Sequence, residues 1–228
     1  MKYALVTGGS RGIGRAICLK LAGMGIPVII NFKSNIEAAR ELREEILAEG
    51  GEASLMQFDV ADPKAVSSAL EAWENEHPDD YIAYLVNNAG INIPCLLVDP
   101  KDPHGKYELS ERVYDKVTSV NIKGVYLMAQ ALGHEFVRNG AGVIINMSSE
   151  SGLEGSEGQS IYAATKNAVN SFTRSWSKEL GRYNVRVVGV APGILEATGL
   201  RTLAYEEALS YTRGITVEDL RKGYKNTK

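Results

Sequence analysis

Cysteine and histidine are scarce in this chain. Two cysteines (Cys18, Cys95) and three histidines (His77, His104, His134) occur in 228 residues, and none shares a metal-ligand spacing with another. Cys18 lies inside an apolar helical pattern, so a buried thiol is expected rather than a disulfide or a metal ligand. No run approaches the ~18 apolar residues of a membrane helix. No block of lysine or arginine appears, and a net charge of −3 offers nucleic acid or an anionic membrane nothing to hold. An apolar strand pattern begins at Tyr3, which leaves no room for a signal peptide, so a cytoplasmic location is expected. Internal repeats and low-complexity tracts are also missing. The length suits one α/β domain, residues 1–228, with a sizeable core.

What is present is alternation. Short apolar runs at Ala4–Val6, Val28–Phe32, Ala53–Phe58, Ile82–Val86, Val143–Met147 and Val185–Val190 read as strands. Between them lie helical patterns. Ile36–Ala48 should turn Leu42, Ile46 and Leu47 inward, and Pro63–Trp73 should turn Val66, Ala69, Leu70 and Trp73 inward. Asp62 before Pro63 reads as an N-cap followed by proline at the first helical position. Strands alternating with helices predict three layers: a mostly parallel, doubly wound Rossmann-type sheet of six strands with helices on both faces. Ligands then bind at the carboxyl ends of the strands. Thr7, Asp59, Asn87, Ser149 and Pro192 all fall at or just past such ends.

The first of these ends carries Thr7-Gly8-Gly9-Ser10-Arg11-Gly12-Ile13-Gly14, followed by a periodic stretch with Ile13, Ala16, Ile17 and Leu21 on one stripe. Strand, glycine-rich turn and helix form the setting in which backbone amides meet a pyrophosphate at a helix N-terminus. Further on, Tyr162 and Lys166 stand at i and i+4 in Ile161-Tyr162-Ala163-Ala164-Thr165-Lys166, hence on one helix face, and Ser149 lies thirteen positions before Tyr162. An ammonium beside a phenol favours the phenolate, so the tyrosine pKa is expected to fall from about 10 towards the working range. Ser148 and Ser151 are the neighbouring hydroxyls.

Taken in order, Thr7–Gly14, Asn87-Asn88-Ala89-Gly90, Ser149, Tyr162-x-x-x-Lys166 and Pro192-Gly193 resemble the short-chain dehydrogenase/reductase family over residues 1 to about 200. The resemblance implies hydride transfer between a nicotinamide and a carbonyl or secondary alcohol, in a homodimer or homotetramer. It implies Tyr162 as proton donor or base, Lys166 as its electrostatic partner and ribose holder, and Ser149 as the bond to the substrate oxygen. Asn121 would position Lys166. Cofactor would lie along Gly8, Ser10, Arg11, Gly12, Ile13 and Gly14, with Asp59 and Val60 at the adenine and Asn88, Ala89 and Gly90 along the adenosine half. Beyond Pro192 and Gly193, the backbone of Ile194 or Leu195 would face the carboxamide.

The end of the second strand reads Asn31-Phe32-Lys33, with no acid to hold the ribose hydroxyls of NAD. Together with Arg11, Lys33 offers cations to a 2′-phosphate, so NADP(H) is expected over NAD. Residues 1–91 look like the β-ketoacyl-acyl-carrier-protein reductase branch, whereas residues from Cys95 onward look like sorbitol-6-phosphate dehydrogenases. A 3-oxoacyl thioester is therefore the first substrate expected and a sugar or polyol phosphate the second; Arg201 and Arg213 read equally as holders of that phosphate or as solvent-exposed helix residues. A non-catalytic nucleotide-binding protein is the alternative outside enzymes. Three departures from the family stand out. Val98–Gly105 forms an extra polar stretch that either borders the site or, as is commoner for such a loop, makes a surface excursion, and a threonine is displaced to Thr198. Residues 194–228 hold only part of a substrate loop, without a final edge strand, which puts a tetramer in doubt.

Overall fold

The structure is a computed structural model that describes residues 1–193 and 201–224. Its strands are β1 (Lys2–Val6), β2 (Val28–Phe32), β3 (Ala53–Gln57), β4 (Tyr81–Asn87), β5 (Gly142–Met147) and β6 (Val185–Val190). All pair in parallel, in the order β3-β2-β1-β4-β5-β6. The chain winds outward from β1 to β3, then crosses back to β4 beside β1. Neighbouring loops part at that reversal, and a crevice opens at the strand tips.

Nine helices are described: α1 (Gly12–Ala22), α2 (Ile36–Ala48), α3 (Pro63–Glu76), α4 (Glu111–Thr118), α5 (Val125–Asn139), α6 (Ser151–Glu154), α7 (Ser160–Gly181), α8 (Leu203–Arg213) and α9 (Val217–Tyr224). They give the sheet a core on each face. Tyr3 and Leu5 of β1 point to one face, against Val66, Leu70 and Trp73 of α3 and Met128, Leu132 and Phe136 of α5. Ala4 and Val6 point to the other, against Cys18 and Ala22 of α1 and Ala39, Leu42 and Ile46 of α2. Burial on both faces explains why β2 is apolar at nearly every position rather than alternating.

Two inward lines differ from the periodicity. The buried line of α1 is Gly14, Cys18 and Ala22, with Ala16 exposed, and that of α2 is Ala39, Leu42 and Ile46. Leu47 is 40% exposed, because one step past Ile46 turns its side chain about 100° off the inward line. Asp62 caps α3 as expected, its Oδ1 accepting from the amides of Lys64 and Ala65 at 2.9 and 3.2 Å. α8 is described from Leu203, capped by Thr202; Thr198 and Leu195 lie outside the described residues. Among the described strands β6 pairs only with β5. No described helix is long and apolar enough to cross a membrane.

Candidate active site

The glycine turn is held from three sides. Gly8 and Gly12 have φ of +60° and +55°, a left-handed backbone that side chains disfavour. A Cβ at Gly14 would lie 2.3 Å from the Gly8 carbonyl and 2.6 Å from Asn88 Nδ2, so helix and turn touch through backbone alone. Asn88 Nδ2 donates to the carbonyls of Thr7 and Gly8 at 2.9 and 3.1 Å, while Thr7 Oγ1 accepts from the amides of Asn88 and Ala89. On the other flank the Gly8 amide donates to Asn31 Oδ1 at 3.1 Å. Arg11, just before α1, makes no side-chain capping bond, so the first amides of α1 and their partial positive charge are offered to a ligand. These amides open on a cleft of about 450 Å³ lined by Ser10, Arg11, Ile13, Val60, Ala89 and Gly90 among others. A dinucleotide fits this donor set: backbone amides for the pyrophosphate, and apolar Val60 and Ala89 for the adenosine half.

At the tip of β2 the sequence expectation changes in detail. Asn31 lines the cleft, but its side chain is buried and fully committed, with Nδ2 donating to the carbonyls of Met56 and Phe58, both at 3.2 Å. It braces the turn against β3 and has nothing left for a ribose. Lys33 pairs with Asp59 at 2.5 Å. Burial pushes the Asp59 carboxyl up, yet the bond from Lys33 and the Ala61 amide outweigh it, and its pKa stays below the usual value. The Ala61 contact (3.0 Å) is the turn-forming role open to an aspartate there. Arg11 stays exposed at the rim of the cleft.

Ser149, Tyr162 and Lys166 converge where the cleft meets a second pocket. Tyr162 sits in the first turn of α7 and Lys166 one turn on, its Nζ 5.6 Å from the centre of the phenol ring. Nζ donates to the Met147 carbonyl at 2.7 Å. Here the expected sign is corrected. Burial raises the Tyr162 pKa above its ordinary value and a Ser149 hydrogen bond only partly offsets it, while burial pushes the Lys166 pKa down to about 8. The two groups are shielded from water together, so the ammonium is weakened along with the phenolate it would support.

Of the three neighbouring serines, Ser148 is buried with its hydroxyl donating to the Lys166 carbonyl. Ser149 Oγ lies 2.7 Å from Ser151 Oγ and lines the pocket with Tyr162. Asn121, expected in a helix, occupies a π-helical stretch, Ser119–Gly124, and is 0% exposed. Its amide donates to the Ile91 carbonyl (2.9 Å) and Thr165 Oγ1 (3.1 Å), and its Oδ1 accepts from the Ile91 amide. It therefore ties the segment after Gly90 to α7. Such one-turn widenings cluster at functional sites because they redirect a side chain inward.

The second pocket, about 290 Å³, runs from Ser149 and Tyr162 past Gly193 to Gln159, Tyr205 and Arg213. Sequence reasoning missed Asn92, which lines this pocket and whose Oδ1 is closed to solvent and without a hydrogen-bond partner among the described residues. Nothing in the sequence around Asn92 marks it; only the folded pocket does. The polar stretch expected as a surface excursion is partly anchored. Leu97 and Val98 are exposed, but Asp99 is buried and accepts from the Tyr211 hydroxyl at 2.8 Å. Among the described residues no cluster of side chains could hold a metal.

The sequence profile of the short chain dehydrogenase family matches residues 2–208. Sorbitol-6-phosphate 2-dehydrogenase of Klebsiella pneumoniae is 52% identical over 225 residues, covering 96% of this chain and 79% of that protein. A 3-oxoacyl-[acyl-carrier-protein] reductase of Staphylococcus aureus (strain Mu50) is 38% identical over 194 residues, 85% of this chain and 74% of the other. Among solved structures, a 3-oxoacyl-[acyl-carrier protein] reductase with bound NAD from Brucella melitensis superimposes with a TM-score of 0.76 at 32% identity, covering 87% and 72% of the two chains. A single relative at 52% identity spans both halves, so the two halves do not need separate branches of origin. With a parallel six-stranded sheet, a glycine turn at its crevice and these relatives, the chain belongs to the short-chain dehydrogenase family of oxidoreductases.

Proposed function

We propose that the protein interconverts a polyol phosphate and the corresponding ketose phosphate, with NADP(H) as cofactor. The observation that carries the substrate class is the pocket beside Tyr162. Asn92, Gln159, Arg201 and Arg213 line it, and its two carboxylates, Glu150 and Glu154, are solvent-exposed, which suits a hydroxylated molecule with an anionic group better than an acyl chain. The 52% identity to a sorbitol-6-phosphate 2-dehydrogenase supports the same reading over the 3-oxoacyl thioester expected first.

The glycine turn and the first amides of α1 would hold the cofactor pyrophosphate, and Lys166 the nicotinamide ribose. The absence of a free acid at the tip of β2, with Lys33 neutralising Asp59 and Arg11 at the rim, favours a 2′-phosphate. Bound NADP(H) supplies or accepts the hydride. In reduction the carbonyl π bond would open as carbon takes that hydride, and the Tyr162 hydroxyl would give its proton to the oxygen. Ser149 Oγ donates to the same oxygen, stabilising the charge that builds on it. A phenol whose pKa is raised remains protonated at neutral pH and so is poised for this direction. Oxidation runs the same steps backwards and needs the phenolate.

Steady-state kcat/KM with fructose 6-phosphate and with an acetoacetyl thioester, each with NADPH and NADH, tests both parts. We expect fructose 6-phosphate with NADPH to be the best pair. A faster thioester overturns the substrate assignment, and NADH equal to or better than NADPH overturns the cofactor assignment.

A further inference from the structure

Two arginines reach the pocket that holds Ser149 and Tyr162, and their surroundings differ. Arg201 is clamped: its Nε donates to Glu206 Oε1 at 2.8 Å, while Arg221 donates twice to Glu206 Oε2, at 3.1 and 2.6 Å. Glu206 is buried and its one carboxylate is shared by Arg201 and Arg221, so Arg201 is fixed in a trio that keeps one net positive charge, its donors already turned to Glu206. Arg213 meets a neutral partner, with Nη2 donating to Ser156 Oγ at 3.2 Å, and forms no ion pair among the described residues. The carboxylates that share the pocket wall, Glu150 and Glu154, are exposed to solvent and screened.

Arg213 also stands on a fixed base, because three consecutive residues at the end of α8 are each tied to another segment. Tyr211 donates its hydroxyl to the buried Asp99 and stacks on Tyr107, with ring centres 4.4 Å apart. Thr212 is buried against Gly158, where a Cβ would fall 2.0 Å from Thr212 Oγ1, so only glycine lets the helix approach this closely. Arg213 then reaches Ser156, and Gly214 ends the helix at φ +64°. A guanidinium held this way presents its other N–H donors as a planar fork, the geometry that meets two oxygens of a phosphate. The same pocket is walled by the polar residues Asn92, Ser156 and Gln159, which suit a hydroxylated ligand. A guanidinium at one position and polar side chains along the wall describe one ligand, hydroxylated along its length and anionic at its end.

We infer that Arg213 binds the phosphate of the substrate, and that this contact selects phosphorylated over unphosphorylated sugars. The inference rests on the polyol-phosphate reading above and goes beyond it by assigning the residue. The test compares kcat/KM for fructose 6-phosphate and for fructose in the wild type, Arg213→Gln and Arg213→Lys, alongside a fluorescence titration of NADPH binding. We expect the wild type to prefer the phosphate ester. Arg213→Gln should cut that preference roughly ten- to a hundredfold, mainly through KM, with partial recovery in Arg213→Lys. NADPH affinity should hold in both variants. If Arg213→Gln keeps the wild-type preference, the assignment falls while the substrate reading stands. If both variants lose NADPH binding, Arg213 is a scaffold residue and the assignment falls as well. A wild type that does not distinguish the two sugars overturns the substrate reading and the assignment with it.

Discussion

Tyr162 and Lys166 were legible as a pair from spacing alone, since an i, i+4 relation on a helix fixes a common face. What the spacing could not convey is burial, and burial moves the phenol in the opposite direction to the one expected from the lysine. Desolvation acts on phenolate and ammonium alike, raising one pKa and lowering the other to about 8. The consequence is directional. An acid with a raised pKa keeps its proton longer as pH rises, so reduction should be supported at neutral pH. Oxidation, which consumes the phenolate, should accelerate as pH climbs through the alkaline range. Tyr162→Phe should remove both the rate, by roughly a hundredfold or more, and the alkaline slope of oxidation, while NADPH binding is retained. A pH–rate profile of the two proteins checks this; a variant that keeps most of its rate, or keeps the slope, removes Tyr162 from the proton path. Asn92 was illegible for a related reason. An asparagine in a loop carries no pattern, and its place in the pocket wall depends on segments distant in sequence.

At the scale of single elements the periodic signals were strong. The strand positions are those expected, because a sheet covered on both faces demands unbroken apolar runs, and such runs are easily seen. Helix faces were less well read: Ala16 and Leu47 are apolar yet face outward, since apolar character does not force burial. Capping chemistry was read correctly at α3, where Asp62 accepts from two amides and Pro63 follows. Because α3 covers β1 through Val66, Leu70 and Trp73, its start bears on the core. Asp62→Ala should lower stability by about 1 kcal/mol. Denaturant unfolding followed by circular dichroism reads this as a lower midpoint at unchanged slope; an unchanged midpoint would show that the cap contributes nothing here.

Across the whole molecule, local pattern gave out where distant segments meet. The polar stretch around Asp99 looked like a free excursion, yet the Asp99–Tyr211 bond joins residues 112 apart in sequence, a contact no local signal encodes. Surfaces are equally opaque to periodicity. Val188 and Val190 on β6 are 46% and 44% exposed, beside a strand with one described neighbour, and Tyr114 and Tyr126 lie open on α4 and α5. Apolar side chains beside unpaired strand groups favour association, so we expect a homodimer or larger assembly by light scattering; a monomer at micromolar concentration counts against it. Asn31 carries a further lesson, for anyone redesigning the nucleotide preference. The obvious edit is an aspartate at this position, to chelate the hydroxyls of an unphosphorylated ribose. Its second oxygen would be driven against the Met56 and Phe58 carbonyls, three lone-pair-rich atoms crowded in the dry interior where an NH₂ now mediates. Under the proposed NADP(H) preference, a change towards NAD is therefore better attempted at Lys33 or Arg11, whose removal leaves the glycine turn anchored.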